Sequence, residues 1–131
     1  MALLVTGLYA SLTRLLVLAM AYRIVKLRRF HAIGIGSGGN KDLSLAMRVH
    51  GNLLENAPMV LILLGLAESN GMPVYLLHCF GTAWIVARLL HAIGLTHGKG
   101  GYHFGRFWGV LTTWIVTLGL ALANIGFFIG L

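Results

Sequence analysis

With 131 residues, ten Lys and Arg against three Asp and Glu, and 58% hydrophobic side chains, the chain lacks the polar surface of a water-soluble globule. Its formal charge of +7 gathers in short clusters instead of along a groove-reading surface, which argues against a nucleic-acid partner. Four hydrophobic runs, each long enough to cross a hydrocarbon core of about 30 Å, take up nearly the whole length and leave no room for a soluble catalytic domain. The sequence therefore predicts an all-α integral membrane four-helix bundle. It reads as one domain over residues 1–131, with helices near 2–26, 43–68, 73–97 and 107–131.

Helix one is apolar except for Tyr9, Thr13 and Arg14. Ala19-Met20-Ala21 resembles a signal-peptide cleavage triplet. However, no Lys or Arg precedes Arg14, and that arginine interrupts the would-be apolar core, so the segment reads as a mature transmembrane helix. Arg14 itself is expected to pair with a neighbouring helix or to snorkel. The helix leaves the membrane through Arg23, Lys26, Arg28 and Arg29, a cluster that sets topology and suits anionic head groups or an anionic substrate. The following glycine-rich stretch, His31 to Asp42, reads as a flexible loop. Its GIGSGG run has neither the βαβ context nor the closing Gly-Lys-Ser/Thr of a phosphate-binding motif.

Helix two carries the stretch that chemistry must explain, MRVHGNLLEN from Met47 to Asn56. Ionisable groups at membrane depth cost at least a few kcal/mol each and mark function by default. At about 100° per residue, Arg48, Asn52 and Glu55 stand near 0°, 40° and −20°, so they share one face. Asn56 stands at its edge, and His50 points the other way. Arg48 and Glu55 lie about 10 Å apart along the axis, which disfavours a close direct pair. Spacing alone leaves two readings open: a buried ion network that locks helices together, or a zwitterionic ligand whose carboxylate meets Arg48 and whose ammonium meets Glu55 and Asn52. Pro58, one turn on, is expected to kink the helix and free a carbonyl beside the polar face.

The second connection, near Glu68 to Met72, has no Lys or Arg, whereas the first and third are basic. By the positive-inside rule both termini face outward and the basic connections face the cytoplasm. Helix three starts at Pro73. Arg88 and His91, three apart, share a face at the same end of the membrane as the start of helix two. His78 reads as an interfacial side chain. The single Cys79 reads as space-filling and excludes an internal disulfide or a cysteine metal cluster. The third connection brings together His97, Lys99, Tyr102, His103 and Arg106, but the six histidines show no metal-ligand spacing. Helix four, with Thr112, Thr113, Thr117 and Asn124 as its polar positions, reads as packing and lipid surface.

These residues carry a family likeness. The four-helix layout, Arg48-x-His50-x-Asn52-x-x-Glu55 and Arg88-x-x-His91 resemble the MAPEG superfamily of membrane-associated proteins in eicosanoid and glutathione metabolism, and most of all its bacterial branch. The resemblance covers essentially the whole chain. It implies a homotrimer with glutathione as co-substrate, bound between subunits near the cytoplasmic surface, and no metal. Arg48, Asn52 and Glu55 match the family's glutathione-binding positions, with His50 and Asn56 at flanking positions that vary. Lys26, Arg28 and Arg29 resemble the basic end of helix one that holds the tripeptide's carboxylates, and Arg88 and His91 match polar positions of helix three. Arg106 corresponds to the arginine that activates the thiol in the eicosanoid enzymes. Leu95 stands where several members have a tyrosine, and the loop before Arg106 is longer than in the eicosanoid enzymes.

The implied activity is a glutathione transferase or peroxidase acting on a lipophilic substrate from the bilayer, which needs no protein cysteine. The competing expectations are a non-catalytic lipid- or glutathione-binding protein on the same scaffold and a small four-helix exporter. The exporter would use a membrane-embedded carboxylate in helix one, where this chain has Arg14 instead.

Overall fold

The computed structural model describes residues 2–131. It contains four helices, α1 Leu4–His31, α2 Lys41–Ser69, α3 Val74–His97 and α4 Phe104–Phe128. All four are long and apolar enough to cross a membrane. No strand occurs among the described residues.

The boundaries of α1 and α4 differ most from the sequence expectation, and α4 also ends three residues earlier, at Phe128. Helix α1 continues five residues further, through Arg28 and Arg29 to His31, because basic side chains in a last turn favour the carbonyl end of the helix dipole. At 28 residues it is about 42 Å long, more than a hydrocarbon core of about 30 Å requires. Helix α4 starts three residues earlier, where His103 caps it by accepting from the Gly105 amide at 3.0 Å. Asn40 caps α2 in the same way, accepting from Leu43 N at 2.9 Å. The loop glycines form the turn between α1 and α2: Gly36, Gly38 and Gly39 have φ of 64°, 55° and 78°, a region glycine enters without strain. Pro58 lies exposed within α2, which continues through it as one helix.

The helices run alternately up and down. At one end, the Glu68 carboxylate near the end of α2 accepts from the Val5 and Thr6 amides at the start of α1, at 2.9 and 2.7 Å. Tyr9 of α1 meets His78 and Thr82 at the start of α3. At the other end, Arg23 of α1 donates to Thr96 of α3 at 3.4 Å. Leu53, Val60, Leu64, Leu77, Trp84, Val116 and Leu120 form the buried core. Outward-facing leucines such as Leu15, Leu18, Leu118 and Leu122 remain exposed, as a lipid-facing surface requires.

The tightest joint is between α3 and α4. A Cβ on Gly109 would come within 2.6 Å of His91 N and 2.7 Å of Ala87 O, and one on Gly105 within 2.7 Å of Leu90 O. The backbones touch because Gly105 and Gly109, four apart on α4, present no side chain, the small-xxx-small packing of membrane helices. Thr113 is the next residue on that face. The close approach brings it within reach of Arg88.

Candidate functional site

The polar face of α2 forms as its spacing predicts, with one correction. Arg48 Nη1 lies 3.2 Å from Glu55 Oε1, a direct ion pair despite the seven-residue separation. The expectation of an awkward pair considered the helix rise alone. The long arginine side chain, on the same face as Glu55, leans along the axis and spans the two turns. Both side chains remain 58% exposed. Asn52 and Asn56 beside them are half-buried, and the Asn56 amide donates to the Asn52 carbonyl at 2.8 Å. His50 is half-buried on another face of α2.

Behind this face lies Arg88, only 2% exposed. Its Nη2 donates to Asn52 Oδ1 and its Nη1 to Thr113 Oγ1 at 3.1 Å, while the guanidinium carbon sits 5.5 Å from the Trp84 ring centroid. The Thr113 hydroxyl donates to Gly109 O at 2.8 Å, which leaves a lone pair directed at Arg88. Arg88 thus joins α2, α3 and α4, with no carboxylate partner among the described residues. His91, one turn along, is also buried.

Arg106 lies in the first turn of α4, and its Nη1 donates to Gly100 O and Gly101 O, the latter at 3.2 Å. It also lines a recess of about 360 Å³ whose other walls include Tyr102, Phe107, Val110, Leu111 and Trp114. A cationic residue in the lining of an otherwise apolar recess suits a substrate with a polar reacting atom and a hydrocarbon body.

The basic end of α1 divides. Arg28 is occupied by the first connection, donating to Gly36 O at 2.8 Å and Ile33 O at 3.4 Å, whereas Lys26 and Arg29 are exposed without hydrogen-bond partners among the described residues. A second cavity, of about 200 Å³, is lined by Arg23, Val49, Thr96 and His97. Val49 is a core-facing residue of α2, so this cavity does not open on the Arg48 face. Cys79 is exposed on α3 and does not fill space, which corrects the sequence expectation. Arg14 is exposed and makes no hydrogen bond with a described residue. Thr113 and Trp84 were missed as site residues. The one available signal for Thr113 was its place after Gly105 and Gly109 in a four-residue repeat.

A family model described as the MAPEG family matches residues 6–126. The chain is also similar to Inner membrane protein YecN of Escherichia coli strain K12. The two are 33% identical over 121 residues, covering 92% of this chain and 90% of that protein, and the protein of the same name from Escherichia coli O6:H1 matches to the same extent. The match extends into all four helices and includes the α2 polar face, the buried Arg88 and His91, and Arg106; the chain belongs to the MAPEG family.

Proposed function

We propose that the protein is a membrane-bound glutathione-dependent transferase or peroxidase, which activates the glutathione thiol against lipophilic electrophiles or hydroperoxides arriving from the bilayer. The observation that carries this reading is the open Arg48 and Glu55 pair. Glu55 is the midpoint of α2, where an exposed charge facing lipid costs a few kcal/mol. A pair left 58% exposed at that depth suits a face that meets a polar ligand or a second subunit. It complements the amino-acid end of glutathione, with carboxylate at the arginine fork and ammonium at Glu55. Lys26 and Arg29 supply free cations for the tripeptide's other carboxylate. Family membership supports the ligand class, and the name of the similar Escherichia coli protein supports an inner-membrane location. The site is completed between neighbours of a homotrimer on the cytoplasmic side, with both termini outside.

The nucleophile is the sulfur of glutathione. A free thiol has a pKa of about 8.5, so little is thiolate at neutral pH. A guanidinium nearby favours the charged form, and lowering the value by about two would take roughly 2.7 kcal/mol, within reach of one cation in a partly dry site. Arg106 takes this role, and the recess beside it takes the hydrocarbon part of the second substrate.

The test is turnover of glutathione with a chlorinated nitrobenzene, and of glutathione with a lipid hydroperoxide, by protein purified in detergent. Arg106→Ala should lower kcat/KM by about 10²-fold or more with helix content unchanged. Glutathione binding without turnover of either substrate would move the protein to the non-catalytic binder. Absence of both binding and turnover would end the glutathione reading.

A further inference from the structure

Arginine can only donate hydrogen bonds, so whatever atom of Asn52 meets Arg88 must be the amide oxygen. The structure places Arg88 Nη2 on Asn52 Oδ1, and the Asn56 amide nitrogen lies 3.5 Å from the same oxygen. The two lone pairs of that oxygen thus face donors of the protein. What Asn52 has left is its NH2 group.

Arg88 is itself held from three sides, by Thr113 Oγ1, by Asn52 and by the face of Trp84. At 2% exposure it cannot turn toward solvent, and the α3–α4 glycine joint fixes the distance to Thr113. Its Nε has no partner among the described residues.

We propose that Arg88 is a positioning residue: it holds the Asn52 amide with its oxygen inward, so that the site presents Asn52 as a hydrogen-bond donor to a carboxylate or peptide carbonyl. This rests on the reading of the α2 face as a glutathione site. It revises the sequence-based placement of the ligand, in which Asn52 helped Glu55 to receive the ammonium. Arg48 and Asn52, four apart on one face, both offer hydrogens and together form the acceptor-recognising end of the site. Glu55 alone receives the ammonium. The amino-acid head of the ligand is thereby oriented along α2, carboxylate toward Arg48 and ammonium toward Glu55.

Asn52→Asp decides the matter because the alternatives predict opposite signs. The new carboxylate gives the buried guanidinium the counter-charge it lacks, so the thermal midpoint in detergent should rise by several degrees. The same change removes the donor, so calorimetric titration should show glutathione binding weakened about tenfold or more. Arg88→Met, close in volume and unable to donate, should weaken binding similarly by freeing the amide to rotate. The double variant should bind no worse than either single variant.

Equal or tighter binding by Asn52→Asp overturns the proposal, as does an unchanged or lower midpoint, or additive losses in the double variant. If Arg88→Met fails to fold, Asn52→Asp still decides. A wild-type protein that does not bind glutathione ends the reading of the α2 face and this inference with it, whereas wild-type binding with tighter binding by Asn52→Asp ends the inference alone.

Discussion

At the scale of single residues, Arg48 and Glu55 face each other across two helical turns with more than half of each side chain exposed. Within a water-filled ligand site between subunits, an ion pair so open contributes about 0–1 kcal/mol to stability. A charge-assisted contact between Glu55 and a ligand ammonium is worth more, roughly 1.5–3 kcal/mol. Glu55→Ala should therefore leave the thermal midpoint nearly unchanged while weakening glutathione binding about tenfold or more, read by titration in detergent. Equal affinity in the two proteins would make the α2 face structural. The shared face of Arg48, Asn52 and Glu55 was legible in the sequence because helical spacing fixes direction. The contact between Arg48 and Glu55 was not, because side-chain reach is not encoded in spacing. Arg88 was legible as polar and inward, but its partners, Asn52 and Thr113, lie 36 and 25 positions away on helices whose rotation only packing decides.

At the scale of elements, the α3–α4 joint is the firmest connection in the bundle, since it is made where backbone meets backbone at Gly105 and Gly109. Adding a side chain there must separate the helices. Gly109→Leu should lower the thermal midpoint by many degrees, from an overpacking cost of about 3 kcal/mol or more, and should also free Arg88 from Thr113. Gly51 is the control: a Cβ there meets nothing within 4 Å, so Gly51→Ala should raise the midpoint slightly through helix propensity, by about 1 kcal/mol at most. Equal effects of the two substitutions would mean that the joint is loose. The four helices were legible from hydrophobic run length. The ends of α1 and α4 were displaced because basic and glycine-rich segments were assigned to connections, whereas a carbonyl-end dipole and a histidine cap keep them helical.

At the scale of the whole molecule, the helix ends and connections that carry the basic clusters, around the first and third connections, lie together at one end, and the second connection, free of Lys and Arg, lies at the other. Alkaline phosphatase fused at the C-terminus should therefore be active in the periplasm, and inactive when fused within the first connection. The exposed Arg14 and the open Arg48 and Glu55 pair are polar groups on the outer surface of a single bundle, a surface that lipid alone does not suit. Native mass spectrometry from detergent should show three copies, and a monomer that binds glutathione would overturn the assembly proposed here. The Glu68 carboxylate, finally, ties the first amides of α1 to a residue 62 and 63 positions later in the chain. During synthesis that clasp cannot close until α2 has almost wholly emerged from the ribosome. The first span thus begins life without its capping acceptor, and the first two spans become a settled pair only when the second is complete.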